Sequence, residues 1–547
     1  MRVLRYVQSL LPCRADYRLV GRTWRGDLLA GLTVGIVALP LALAFGVSSG
    51  AGAEAGLITA IVAGLVAAVF GGSNIQVSGP TGAMVVVLGP IVALHGVGAV
   101  AIVSIMAGVV VLVAGAAKLG RVVSYIPWPV IEGFTLGIAV IIFLQQVPAA
   151  LGVHPGASSN ALVAAVQSLA HIQWASVAWP LAGVAIVAAI MVLAPRIHRQ
   201  LPGSIIGIVV VSVGAALLAL PLERIGALPN SLPSPALPAL DPAVLQSLIG
   251  PALTVAALAA IESLLSARVA DSLSDTGPYD ADRELVGQGL ASVASGIFGG
   301  MPATGAIART AVNLRSGGRT RLAAITHAIV LLAVVYLAAG VVSQIPLAAL
   351  AGVLMVTATR MISVSTVRSV VGSTRSDTVV FIVTAIVTVS VDLIVAVGIG
   401  IAVAAFFALR SLARSGGVHR EELPTPPHPE DSRIALFRLD GALFFGAADR
   451  MLERVSAVSD VSVVIIRMSQ LQVLDATGAR VISQMIQSLE RRGITVLVKG
   501  IQPAHLGVAT HVGVLAALRD QRHLFTDLDA AIAHARNHVS RESSPTV

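Results

Sequence analysis

From Leu28 to Ala117 the chain runs for ninety residues with one acidic side chain, Glu54, and no lysine or arginine. A helix crossing a bilayer needs about 20 apolar residues, and all its backbone polar groups must be bonded internally because no water is available. Ninety such residues make several spans in series. The rest of the sequence continues the pattern: 56% of the 547 residues are hydrophobic and only 12% are charged, about half the charge of an ordinary soluble domain. The expected fold class is a polytopic α-helical membrane protein.

Apolar segments recur near 28–47, 55–71, 79–95, 98–117, 128–147, 176–194, 203–220, 247–265, 284–299, 303–313, 321–341, 346–358, 378–391 and 393–411, fourteen in all. Six arginines (Arg2, Arg5, Arg14, Arg18, Arg22, Arg25) precede the first of them. Further cations collect in alternate loops, at Lys118/Arg121, Arg196/Arg199, Arg268/Arg283, Arg315/Arg319/Arg321 and Arg360/Arg368/Arg375. Between these, loop 148–175 has no Lys or Arg and loop 221–246 has only Arg224. Cationic loops stay cytoplasmic, so the N-terminus is expected inside, and an even number of spans returns the C-terminus to the same side. The formal net charge of +8 is therefore a topology signal. No recognition motif or basic–aromatic interleaving accompanies it, so no nucleic-acid partner is expected. Single Cys13 leaves no disulfide and no cysteine metal cage. His95, His154 and His171 lack ligand spacing, so no metal is expected. No GxxxxGK[ST] phosphate loop is present; the expectation is a protein without a cofactor and not an enzyme.

The sequence Val122–Pro127 (VVSYIP) returns at Val341–Pro346 as VVSQIP. Phe70-Gly71-Gly72 is echoed by Phe298-Gly299-Gly300, and Thr81-Gly82-Ala83 by Thr304-Gly305-Ala306. The three echoes keep their order, at offsets of 219, 228 and 223 residues respectively. A separation of seven spans turns the second copy upside down. Accordingly only the first VVS copy, on the inside, is flanked by Lys118 and Arg121. The domains expected are a cytoplasmic segment 1–26, a transport domain 27–412 with inverted repeats at about 27–220 and 247–412, a linker 413–432, and a soluble domain 433–547. Inverted repeats mark a secondary transporter with its site at the repeat interface.

Two segments open on Gly/Pro punctuation, Ser78–Ala83 (SGPTGA) and Met301–Ala306 (MPATGA). A helix N-terminus offers unpaired N–H groups and partial positive charge, so it binds anions; two inverted copies would face each other near midplane. The candidate substrate contacts are Gly79, Thr81, Gly82, Ala83, Ala303, Thr304, Gly305 and Ala306. Arg309 lies one to two turns into the second helix, where a charge inside the bilayer is costly and usually functional. Glu262, in Ala256–Ser266 (AALAAIESLLS), opens the second repeat. A buried carboxylate there has reason to bind a proton or a sodium ion, with Thr304 as a further oxygen ligand for sodium.

After Gly416-Gly417 the composition changes. A Glu/Pro-rich linker, Glu421–Asp431, leads to buried-strand patterns at Val461–Met468 and Ile494–Lys499, with an amphipathic helix pattern at Ala476–Arg491 between them. This is an alternating α/β domain.

Taken together, Arg25–Val34 (RGDLLAGLTV), Leu39-Pro40, Phe70–Ser73, Ser78–Pro80, Pro129–Thr135 (PVIEGFT) and Ile307–Thr320 (IARTAVNLRSGGRT) resemble the sulfate permease (SulP) family. These anion transporters are bacterial relatives of the animal sulfate/chloride/bicarbonate exchangers and prestin. Gly441–Ala447 and Leu474–Gly478 resemble the STAS domain that these transporters carry. The resemblance implies a core and a gate built from the two repeats, a homodimer in the inner membrane, and Arg309 beside the anion. It also implies transport of bicarbonate, sulfate or a dicarboxylate, coupled to H+ or Na+. Thr477 matches the hydroxyl that is phosphorylated in soluble STAS relatives; its plain role is to start a helix. Two departures fall near the substrate cavity. Leu41 stands where many relatives have glutamine, and Ala55-Gly56-Leu57-Ile58 replaces a Tyr-Gly-Leu-Tyr pattern. The alternatives are a nucleobase or ascorbate permease of the same architecture, which should lack the STAS tail, and a membrane-anchored STAS sensor.

Overall fold

The structure is a computed structural model. It describes residues 6–543 except 7, 9, 122–125, 155, 157, 159, 173, 175, 198–200, 229, 239–240, 273, 275, 392, 416, 425–426 and 444–459. Arg2, Arg5, Arg199, the stretch 122–125 of the first VVS copy and residues 444–447 of the STAS-like motif lie outside the described residues. The chain divides into two compact units, Met1–Ala402 and Val403–Val547.

Each of the fourteen apolar segments carries a helix. In order these are α1 (Val20–Ser48), α2 (Ala53–Phe70), α3 (Gly82–His95), α4 (Gly98–Ala116), α5 (Trp128–Gln145), α6 (Ala178–Ile197) and α7 (Gly203–Leu217). The second series is α8 (Pro242–Ser272), α9 (Ala281–Ile297), α10 (Ile307–Arg315), α11 (Arg321–Val342), α12 (Leu347–Met361), α13 (Arg375–Ser390) and α14 (Leu393–Ser415). Among the described residues nine helical stretches are long and apolar enough to cross a membrane, and α3 and α7 are shorter apolar helices. The nine residues of α10 rise only about 14 Å, half of a ~30 Å hydrocarbon layer.

Lipid supplies no hydrophobic drive for helix pairing, so close backbone approach at small residues takes over. A Cβ on Gly31 of α1 would lie 2.5 Å from the Ala323 carbonyl and Thr326 Cβ of α11, and one on Gly35 would lie 2.8 Å from Val330. Gly108 and Gly115 of α4 are pressed in the same way against Gly289, Val293 and Val286 of α9. These contacts gather α1–α4 with α8–α11. A second group forms where α5 packs on α13 and α12, and α6 on α7 and α12. The groups meet where α1 passes α12 and α3 passes α5.

Within the first group, strand β1 (Ser78–Gly79) pairs antiparallel with β2 (Thr304–Gly305). This pairing moves two expected boundaries: the first half-helix begins at Gly82 and not at 79. The second half-helix begins at Ile307 and not at 303, because the backbone of Thr304 and Gly305 is extended to bond to the other repeat.

In the second unit, β3 (Gly417–Glu421), β4 (Ile434–Leu443), β5 (Val463–Leu474), β6 (Thr495–Lys499) and β7 (Leu524–Phe525) form one sheet in that order. β3 runs antiparallel to β4 and the other pairs are parallel. Alternate residues of β5 face opposite layers: Val464 and Ile466 meet α15 (Ala476–Arg491), whereas Val463 and Ile465 meet α16 (Leu528–Ser543). Strand β3 lies in the stretch read from the sequence as linker 413–432. Buried Val418 and the ion pairs of Glu421 with Arg438 and Arg467 fix it to the sheet.

Candidate functional site

The β1–β2 pair sets Ser78 opposite Gly305 and Gly79 opposite Thr304, and the Ala306 N–H donates to the Val77 carbonyl at 2.9 Å. α3 and α10 therefore start from the two ends of one small antiparallel ladder. Thr81 occupies the N-cap position of α3, yet its side chain does not bond back onto the helix, the usual use of a threonine there. Its hydroxyl donates instead to Glu262 Oε2 at 2.8 Å. Thr304 Oγ1 lies 2.9 Å from the same carboxylate oxygen and 3.0 Å from Thr81 Oγ1. One hydroxyl from each repeat thus converges on Glu262 of α8. Ala306, the N-cap of α10, offers no side chain to that helix's free amides either.

Arg309 is only 2% exposed. Its Nη2 donates to the Pro80 carbonyl, while Nη1 has no partner. Glycine at 79 makes room for this side chain, since a Cβ there would come 2.6 Å from Nη1. The guanidinium therefore lies across β1 with a free donor beside the opening of α3. Gly82, the first residue of α3, has no space for a Cβ because Ile142 of α5 fills it; Ala83 and Ala303 are buried. The residues expected at the site in the membrane unit, Gly79, Thr81 to Ala83, Ala303 to Ala306, Arg309 and Glu262, thus come together at the β1–β2 pair. Thr477 does not join them: it is exposed in the first turn of α15, in the other unit, where Asp475 caps the helix through the Gly478 N–H at 2.7 Å.

A supporting layer escaped the sequence reading. The Gly305 N–H donates to Ser263 Oγ at 3.1 Å, and the Val77 N–H to Thr310 Oγ1 at 3.0 Å. Asn313 Nδ2 donates to the Ile75 carbonyl at 2.7 Å. On α9, Gln288 Nε2 donates to Ser78 Oγ at 2.6 Å and to Glu284 Oε1 at 2.9 Å. The other oxygen of Glu284 accepts the Gly72 and Ser73 N–H groups. Ser292 Oγ accepts the Ala303 N–H at 3.2 Å. Glu284, Gln288, Ser292 and Ser295 recur at helical spacing on one buried face. That polar stripe in an otherwise apolar segment was the available signal. On α2 a π-turn, Thr59–Ala63, turns Thr59 Oγ1 to accept the Met301 N–H at 2.7 Å; such turns are common at functional sites. Among the described residues no group of three or more His, Cys, Asp or Glu could hold a metal ion.

Residues 24–384 match the sulfate permease family and residues 425–531 match the STAS domain. YvdB of Bacillus subtilis (strain 168) is 33% identical over 491 residues, covering 87% of this chain and 91% of that protein. The bicarbonate transporter BicA of Picosynechococcus sp. is 33% identical over 500 residues, covering 85% of this chain and 87% of BicA. The overall structure of SLC26A9 shares the fold, with a TM-score of 0.81 at 17% identity, over 98% of this chain and 94% of that one.

Proposed function

The chain belongs to the sulfate permease family of multi-pass anion transporters, and from that premise we propose that it carries a small oxyanion by symport with H+ or Na+. Bicarbonate, sulfate and a dicarboxylate are the candidate substrates; the likeness to BicA favours bicarbonate. Arg309 would bind the anion through its free Nη1, together with the first amides of α3 and α10. The single observation that carries this reading is a buried guanidinium nitrogen without a partner, lying between two half-helix starts from opposite repeats. A charge-assisted bond to an oxyanion completes that nitrogen.

Coupling follows from charge. An ionised Glu262 offsets the Arg309 cation, whereas Glu262 neutralised by a proton, or screened by sodium, leaves the site with one net positive charge. Cation uptake then strengthens anion binding, and by linkage the anion strengthens cation uptake to the same degree. The helix groups α1–α4/α8–α11 and α5–α7/α12–α14 are read as core and gate, moving the site between the two faces by alternating access. The cation-rich loops support a cytoplasmic location for both termini, in the inner membrane, and the transporter is taken to work as a homodimer.

The test is uptake by proteoliposomes under an imposed pH gradient, with and without sodium. Glu262→Gln, a fixed imitation of the neutral acid, is expected to keep anion exchange and lose gradient-driven accumulation. A variant that still accumulates anion would show that coupling lies elsewhere. Wild-type uptake that follows sodium and ignores pH would identify the coupled cation as Na+.

A further inference from the structure

We propose that Ile142, on gate helix α5, is the wall of the anion site that sets which anions fit. This rests on the reading of the α3–α10 centre as the anion site. Helix α5 is held in one rotation by two glycines four residues apart. A Cβ on Gly133 would lie 2.5 Å from the Phe381 carbonyl, and one on Gly137 would run into Thr388, both on α13. With that face buried in the gate, Ile138 and Ile142, four residues apart, emerge on the other side of the helix and are buried. Ile142 reaches the start of α3: its Cδ1 occupies the space that a side chain at Gly82 would take.

Gly82 opens α3, directly after the threonine bonded to Glu262. Phe45 of α1 approaches the same point, with Cε1 3.5 Å from the Cβ position. The first residue of α3 is therefore covered on its Cβ side by an isoleucine of one helix group and a phenylalanine of the other, 2% and 6% exposed. No hydrogen bond joins Ile142 side chain to the core, so the contact can part as the groups move. One turn farther along, the seam becomes polar, where Ser48 Oγ of α1 donates to Gln146 Oε1 at 3.2 Å.

An apolar wall discriminates by volume. A single methylene in such a pocket changes selectivity about 10- to 200-fold. Isoleucine at 142 leaves room for a compact anion and collides with a longer one. Shortening it opens the space over Gly82 without touching Arg309 or Glu262.

The experiment is isothermal titration of the purified full-length chain with bicarbonate, sulfate and fumarate, using wild type, Ile142→Val, Ile142→Ala and Arg309→Ala, each confirmed monodisperse. The affinity for fumarate relative to bicarbonate should rise at least about tenfold in Ile142→Ala, with Ile142→Val in between. A ratio unchanged within about twofold, or an equal loss for all three anions, would overturn the assignment, because a merely structural residue acts on every anion alike. If Arg309→Ala binds all three anions as wild type does, the anion site lies elsewhere and both readings fall. That result is distinct from a failure of Ile142 alone.

Discussion

Asp16, ahead of the first helix, shows how much a single exterior side chain contributes. Burial works against its ionisation, but bidentate bonds from Arg283 at 3.0 and 2.6 Å, the Cys13 N–H and the nearby charge of Arg321 outweigh it. They hold the carboxyl at about 2, below the ordinary carboxylate value of about 4. The sign follows: this stabilisation is complete above about pH 4 and is lost as the pH falls towards 2. Asp16→Asn should cost on the order of 3 kcal/mol, because it leaves a largely buried Arg283 without its carboxylate. Thermal unfolding of the two proteins from pH 7 downward checks this. The gap in Tm should stay constant to about pH 4 and narrow below it; no gap at pH 7 would show that the ion pair is idle. Among site residues, Arg309 and Glu262 were legible because a charge in a long apolar run needs a reason. Thr304 beside Glu262 was expected and is found at 2.9 Å; the bond of Thr81 to the same carboxylate was not, since spacing along the chain carries no information about approach across a repeat interface.

At the scale of elements, pattern gave the membrane helices and the two buried strands β5 and β6, and missed the short strands. Fourteen apolar runs became fourteen helices because span length and hydropathy are long-range signals that a few residues cannot disguise. The two-residue strands β1 and β2 have no periodicity to read; they exist because two inverted chain segments meet. β3 was hidden for a related reason: its five residues, Gly417–Glu421, carry only Val418 as an apolar anchor, and their partner lies beyond a proline-rich loop. This places a practical limit on truncation. A chain ending at residue 432 keeps β3 without β4, an unpaired edge of the sort that promotes aggregation. A chain ending at 416 removes the whole sheet. The shorter protein should be monodisperse on size exclusion and bind anion with wild-type affinity, and the longer one should aggregate more. Equal behaviour of the two, or loss of binding in a monodisperse 1–416 protein, would contradict the division.

For the whole molecule, the repeated Thr-Gly-Ala and VVS motifs are the outward sign of two halves built in opposite orientation. Inversion is what lets two half-helices, each begun at a glycine-rich break, meet at a shared ladder with a carboxylate on one side and a guanidinium on the other. The first half alone would present one helix start and neither charge, and the second half both charges and only one helix start. On the proposal made above, which anion fits depends on Ile142, whose meeting with Phe45 at Gly82 across the two helix groups has no signature in sequence. The central claim is that this meeting point carries the transported anion through Arg309. It is tested most directly by uptake of labelled bicarbonate, sulfate and fumarate into proteoliposomes containing wild type or Arg309→Ala at matched density. Saturable wild-type uptake of at least one of these anions is predicted, with a fall of about tenfold or more at low anion concentration in the variant, from loss of a charged hydrogen bond of about 1.5–3 kcal/mol. Unchanged uptake by a well-folded Arg309→Ala protein, or no flux of any anion through the wild type, would contradict it.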